Sequence, residues 1–239
     1  MPENVEKLTL NYSPNFNLRK REKSKVKYLI FHYTGMKSEK NAIKRLLNIR
    51  SKVSCHYFIK RNGEIIRMVP DLYVAWHAGV SFWKKDRLLN SKSIGIELSN
   101  PGHRNNYQKF TRTQIKSLIY ISKYLIKKYK INRQNVLGHS DIAPLRKIDP
   151  GENFPWKSLA KNKISIWHKL DNRQLIKLRN IKILNSKKFY KLLSKFGYMS
   201  SKKKLDKIKI LKNFQRRFRP QLINNFVDKE CYEIIKCLI

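Results

Sequence analysis

Acidic residues are scarce in this chain. Sixteen Asp and Glu stand against 54 Lys and Arg, a formal net charge of +38. A surplus of that size attracts nucleic acid, anionic lipid or an acidic polymer. The lysines, however, run along the whole chain among many Asn and Ile. That pattern reads as coding bias with the charges on solvated faces, since net charge bears on partners and solubility rather than fold. No nucleic-acid-binding motif accompanies the charge, so no specific nucleic-acid partner is expected. Cysteine is also rare: Cys55, Cys231 and Cys237 are odd in number and not densely spaced, which excludes a disulfide framework. All three are expected to be reduced and mostly structural. No apolar run reaches the length of a membrane-spanning helix. Met1-Pro2-Glu3-Asn4-Val5-Glu6 lacks both the basic start and the apolar stretch of a secretory leader. The expectation is either a cytoplasmic protein or a mature form whose leader has been trimmed.

What the chain does contain is enough apolar residue, 41% over 239 positions, for a real core. Residues 1–24 are polar, contain Pro14 and read as an extended arm ending in Arg19-Lys20-Arg21-Glu22-Lys23. Val26 to Tyr33 reads as a buried strand. Ser38 to Arg50 fits a helix with Ser38 as N-cap and Ile43, Leu46 and Leu47 on one face. Val53 to Lys60 and Glu64 to Val69 are strand-like runs meeting at Arg61-Asn62-Gly63, a hairpin signal because Asn and Gly both tolerate positive φ. Ser93 to Leu98 is another strand. Thr111 to Lys128 is a helix whose Thr111 and Gln114 form a capping box. Asn135 to Gly138 returns as a short strand. Strands with a long crossover helix and one hairpin imply an α/β fold with a mixed central β-sheet flanked by helices. Three further helices, ending near Phe196, Phe218 and Leu238, imply a small three-helix C-terminal domain. The expected division is a 1–24 arm, a 25–168 domain and a 169–239 helical domain.

Three dispersed residues carry the chemistry. His32 in Phe31-His32-Tyr33-Thr34, His139 in Gly138-His139-Ser140-Asp141 and Asp149 in Lys147-Ile148-Asp149-Pro150 supply two imidazoles and a carboxylate. That set holds a zinc ion and leaves its fourth position open, as catalytic zinc sites do. Each residue also has a plainer reading: a satisfied core histidine, a residue following a turn glycine, and an Asp opening a turn with Pro150 and Gly151. Between the histidines, Ile94-Gly95-Ile96-Glu97-Leu98 places one carboxylate on a buried strand, where an acid must be paired or functional. Glu97 is the candidate base. Lys147 lies two residues before Asp149, so in an extended segment both side chains reach one cavity, where a cation stabilises a developing oxyanion. Trp76-His77-Ala78-Gly79 suits the wall of a sugar or peptide groove. His77 and His56 are read as non-ligands, because three protein ligands already leave the open position. His103 and His168 have no supporting context and read as surface residues. Cys55-His56 suggests a Cys–His nucleophile only weakly, since neighbours on a strand face opposite ways.

The segments YLIFHYTG, SCHYFI, VAWHAG, SIGIELSN, GHSDIAP and RKIDPGENFPW occur in the order of the AmpD-type zinc amidases. The chain therefore resembles N-acetylmuramoyl-L-alanine amidases, a family related to phage lysozyme-like amidases and peptidoglycan recognition proteins, from about residue 25 to residue 167. The resemblance implies one zinc ion held by His32, His139 and Asp149, Glu97 as catalytic base, and Lys147 steadying the oxyanion. It also implies that Trp76, His77 and Ala78 lie near substrate. The substrate it implies is peptidoglycan or a muropeptide, cut between muramic acid and L-alanine. LLSKFGY, LKNFQRRFRP and NNFVDKECYEIIKCL resemble the three-helix peptidoglycan-binding module often attached to such amidases, with Asn-Asn-Phe in place of the usual small-Gly turn before Asp228. A wall-binding module favours the periplasm or cell envelope over the cytoplasm, and a monomer is the default. The alternative is a non-catalytic peptidoglycan receptor on the same fold. Loss of a zinc ligand or of Glu97 would mark such a receptor, and neither is lost.

Overall fold

A computed structural model describes residues 8–239. Met1 to Glu6, the segment that lacks the features of a secretory leader, lie outside them. In chain order the first elements are β1 (Leu8–Leu10), β2 (Phe16–Asn17), β3 (Tyr28–Tyr33), α1 (Glu39–Leu47), β4 (Tyr57–Ile59) and β5 (Ile65–Arg67). They are followed by β6 (Val74–Ala75), β7 (Phe82–Trp83), β8 (Asp86–Arg87), β9 (Ser93–Leu98) and α2 (Arg112–Tyr129). β10 (Val136–Gly138), α3 (His139–Ile142) and α4 (Trp156–Lys161) lead into α5 (Asn172–Leu178), α6 (Lys187–Phe196), α7 (Lys204–Phe218) and α8 (Lys229–Leu238).

The main sheet runs β1-β5-β4-β9-β3-β10. Only β4 and β5 pair antiparallel, so the sheet is mixed, as the hairpin signal implied. The turn itself differs from expectation. Gly63 alone takes positive φ, 94°, and Gly63 N–H donates to Lys60 C=O at 3.0 Å. Asn62 instead uses its side-chain oxygen to accept from Glu64 N–H, a local bond that favours a tight turn without positive φ. Thr111 and Gln114 form the capping box, and Ser38 caps α1 through Asn41 N–H.

The central strands are apolar on both faces because both are covered. On one face Leu29, Phe31, Ile94 and Ile96 pack against Leu118, Ile121 and Leu125 of α2. On the other, Tyr28, Ile30 and Leu137 share a buried cluster with Phe196, Tyr198, Phe214 and Phe218. Burying one such ring contributes roughly 1.5–3 kcal/mol. Against a whole-domain stability of about 5–15 kcal/mol, that is ample to keep the C-terminal helices docked on the sheet. They therefore cover one face of the sheet rather than standing apart, and α5 adds a short helix before the three expected.

Residues 8–24, the described part of the expected 1–24 arm, are less of a free arm than their polarity suggests. β1 adds a parallel edge strand to β5. Arg21, within the basic run, is buried and donates to Ser93 C=O at 2.7 Å and Asp71 C=O at 2.7 Å. Among the described residues no helix is long and apolar enough to cross a membrane.

Candidate active site

The strand ends assemble the site. His32 on β3 and Glu97 on β9 are register partners in a parallel pair, so their side chains leave the same face of the sheet side by side. His139 follows directly after β10, which flanks β3 on its other side. Asp149 returns beside it, with Ser140 N–H donating to Asp149 C=O at 2.8 Å. Ligand atoms of His32, His139 and Asp149 all lie within 4.8 Å of one another, and all three residues are buried.

Hydrogen bonds around the two imidazoles set their tautomers. Ser93 Oγ donates to Leu89 C=O at 2.7 Å and so must accept from His77 Nε2, 3.1 Å away. His77 Nδ1 is then bare and accepts from His32 Nε2 at 3.0 Å. That leaves His32 Nδ1 with a lone pair. His139 Nε2 faces the Ala78 carbonyl at 3.2 Å, closer than Arg146 Nη2 at 3.4 Å, so it carries the proton and Nδ1 is again bare. The two bare Nδ1 atoms stand 2.9 Å apart, with Asp149 Oδ2 at 3.1 Å from His139 Nδ1 and 3.3 Å from His32 Nδ1. Two lone pairs and a carboxylate oxygen converging on one point repel unless a cation lies among them. The donor set fits a metal ion with outer-shell partners on each histidine.

Protonation states agree with that fit. Burial, followed by the neighbouring His139, pushes His32 down to about 4. Burial works to raise the Asp149 carboxyl, yet His139 and His32 together hold it well below the usual carboxylate range. At neutral pH His32 is thus a neutral imidazole and Asp149 an ionised carboxylate, the forms that bind a metal.

The same strand explains why Ser, Gly and Glu alternate on β9. Ser93 anchors His77, Glu97 faces the site, and Gly95 between them leaves room for the His77 ring. A Cβ at Gly95 would meet His77 Cγ at 2.5 Å. Gly95→Ala must therefore displace His77 and free His32 from its tautomer lock. We expect metal affinity to fall about 10–100-fold, read by competition with a chromogenic chelator. An unchanged affinity would show that His77 does not set His32.

Glu97 is half-buried at the base of a cleft of about 630 Å³ that also exposes His32, Asp149, Lys147, Trp76 and His77. Burial, then Asp149, pushes its carboxyl up to about 8, with Lys147 acting in the opposite direction. A raised carboxyl stabilises the folded metal-free protein fully below its ordinary value of 4.5, and that contribution is lost as pH rises through about 8. In metal-free Glu97→Gln the melting temperature should consequently fall less than in wild type across this window. Parallel pH slopes in calorimetry would contradict the environment described for Glu97.

The structure brings His32, His139, Asp149, Glu97, Lys147, Trp76 and His77 to one cleft. Ala78 is not among its lining: the side chain is fully buried in the core, and what it contributes is the carbonyl that holds His139 and Arg146. Lys147 does not reach the cleft from an extended segment, since its N–H closes a turn onto Ala143 C=O at 3.0 Å. His103 and His168 are not surface residues. His103 meets Tyr33 Oη at 2.9 Å and Glu152 at 3.0 Å on the cleft wall, and His168 is 7% exposed beside Trp167. Cys55 is buried with its thiol pushed up by burial, which leaves no Cys–His nucleophile there. Arg146, Tyr33 and Glu152 escaped the sequence reading because each acts through contacts distant in sequence. Arg146, three residues before Asp149 in the same segment, was the one a local scan could have flagged.

A family model described as N-acetylmuramoyl-L-alanine amidase (Amidase_2) matches residues 22–152. N-acetylmuramoyl-L-alanine amidase AmiD of Escherichia coli (strain K12) is 34% identical over 232 residues, covering 90% of this chain and 83% of that protein. 1,6-Anhydro-N-acetylmuramyl-L-alanine amidase AmpD of Haemophilus influenzae is 43% identical over 107 residues, 44% of this chain and 56% of that one. Among solved structures, E. coli AmiD in complex with the substrate anhydro-N-acetylmuramic acid-L-Ala-D-gamma-Glu-L-Lys superposes with a TM-score of 0.81 at 32% identity, covering 90% and 88% of the two chains. AmpDH3 from Pseudomonas aeruginosa in complex with anhydromuramic pentapeptide gives 0.79 at 26% identity, covering 99% and 96%. With the matched family model spanning the strands β3 and β9 that carry His32 and Glu97 and the start of α3 that carries His139, and with AmiD 34% identical over 83% of its length, this chain belongs to the N-acetylmuramoyl-L-alanine amidase family.

Proposed function

We propose that the protein hydrolyses the amide between the lactyl group of N-acetylmuramic acid, intact or in its 1,6-anhydro form, and L-alanine of peptidoglycan or muropeptides. It does so as a monomer with one zinc ion held by His32, His139 and Asp149. The observation that carries this reading is the convergence of three deprotonated donor atoms beside Glu97 at the base of one cleft. Zinc bound there would supply Lewis acidity to the attacking water and to the scissile carbonyl.

Glu97 accepts the proton of the attacking water and afterwards delivers it to the departing amine nitrogen of L-alanine. In the metal-free site burial raises this carboxyl above the ordinary range, which makes it a stronger base toward the water's proton than a solvated carboxylate. Lys147 presents its ammonium to the carbonyl oxygen as negative charge develops on it. His77 and the Ala78 carbonyl fix the imidazoles, so no reorganisation is needed at the moment of reaction. Trp76 offers an aromatic wall for sugar or peptide. Arg45 and Arg104, exposed on the cleft rim, suit the carboxylates of an acidic stem peptide. No covalent enzyme intermediate is required, since water is the nucleophile.

Incubation of the zinc-loaded protein with intact and 1,6-anhydro muropeptides, followed by mass spectrometry, tests the reading. Release of a free stem peptide beginning at L-alanine, with the matching muramic acid, is the expected result. Binding of the fragments without cleavage would sink the hydrolase and leave a receptor on the same fold.

A further inference from the structure

Helix α7 presents Asn213, Arg216 and Arg217 at i, i+3 and i+4, a spacing that puts all three on one face. That face meets the segment 136–152, which carries His139, Lys147 and Asp149. Arg217 Nη2 donates to Val136 C=O at 3.1 Å, and its Nη1 pairs with Asp141 Oδ2. The same Asp141 oxygen accepts from Gly138 N–H at 2.7 Å, next to His139, and its other oxygen takes the Tyr198 hydroxyl. Arg217 and Asp141 are 2% and 1% exposed, and the guanidinium lies 4.3 Å from the Trp156 ring centroid. A pair so deeply buried fixes geometry, because breaking it strands a charge.

Asn213 acts on the other half of the segment. Its Nδ2 donates to Pro144 C=O at 2.9 Å and Lys147 C=O at 3.1 Å, and the residue is 1% exposed. Its Oδ1 accepts from Arg216 Nη1 at 2.9 Å. Arg216 in turn lies 3.6 Å from Glu152, which receives His103, the partner of Tyr33 on the cleft wall.

We propose that α7 is a positioning element of the active site: Asn213 sets the backbone that aims Lys147 and Asp149, and Arg216 braces the His103 wall of the cleft. Half of the site is thus held from the C-terminal helices and not from the sheet. The carbonyl that Asn213 holds belongs to Lys147 itself, two residues from Asp149, so its loss moves both groups together. The inference rests on the amidase reading for its kinetic readout, and metal affinity supplies a second readout that does not.

The test compares wild type, Asn213→Ala, Arg216→Gln and Ile234→Val in the full-length zinc protein. Ile234 is fully buried on α8 within the apolar cluster that these helices share, so its truncation loosens that packing while leaving the polar contacts of Asn213 and Arg216 in place. Asn213→Ala should lower kcat on muropeptide on the order of tenfold or more, with KM within about twofold, and weaken zinc binding about tenfold. Arg216→Gln should raise KM several-fold at nearly constant kcat, and Ile234→Val should change neither constant. The proposal is overturned if Asn213→Ala keeps kcat and zinc affinity within about twofold of wild type, or if Ile234→Val reproduces its losses. Should Asn213→Ala fail to fold, unchanged kcat and KM in Arg216→Gln overturn it instead. If wild type releases no stem peptide, the amidase reading fails, and the zinc affinity of Asn213→Ala still decides the role of α7.

Discussion

Dialysis against a strong chelator should abolish stem-peptide release, and stoichiometric zinc should restore it. The expected loss is large because a Lewis acid at the scissile carbonyl contributes several kcal/mol to transition-state stabilisation, and each 1.36 kcal/mol is tenfold in rate. A decrease of roughly a thousandfold or more follows. No residue in the cleft replaces that contribution. Lys147 offers one positive charge on a flexible stem, and Arg45 and Arg104 stand on the exposed rim. The fold should survive the treatment, since its sheet is covered by apolar packing on both faces and does not depend on the cluster. Its melting temperature should nonetheless drop on chelation, because a ligand that binds only the native state stabilises it by mass action. Circular dichroism alongside the rate assay separates the two effects. A rate untouched by chelation would remove the metal from the chemistry.

Replacing Glu97 by Gln should lower kcat by about 10²–10⁴-fold while leaving KM and zinc content near wild type. The amide keeps the shape of the acid but cannot take a proton at any accessible pH. Glu97 is not one of the clustered ligand residues, so metal content should hold. The half-buried position between β3 and β4 also argues against a structural loss, since the neutral amide avoids the burial penalty that raises the carboxyl. Steady-state kinetics with metal analysis of the same sample reads both quantities. A variant within tenfold of wild type would assign proton transfer to another group.

Much of this site is legible in the sequence because its chemistry sits at the ends of strongly patterned elements. Val26–Tyr33 and Ser93–Leu98 announce themselves as buried strands, and once they are placed side by side His32 and Glu97 become register partners. The Thr111–Gln114 capping box similarly fixes the start of α2. What escaped depends on contacts between residues far apart in the chain. Arg21 looks like part of a solvated basic run, yet it is buried because carbonyls of Asp71, Asn90 and Ser93 need a donor there. His103 had no local pattern to mark it, and only the fold sets it between Tyr33 and Glu152. Ala78 is expected near substrate, whereas its side chain is buried in the core and its carbonyl holds the His139 ring. In a chain with 54 Lys and Arg, nothing local distinguishes Arg216 and Arg217 from surface charge. Their roles emerge only when α7 docks.

Hydrolysis carried out in water enriched in heavy oxygen reads the chemistry most directly. If Glu97 activates water against the lactyl carbonyl, the heavy atom appears in the lactyl carboxylate of the released muramic acid, and the stem peptide carries none. Label at the sugar anomeric carbon or in the peptide, or stem peptide released without any incorporation, would contradict hydrolysis of the muramoyl–L-alanine amide by a water activated at Glu97.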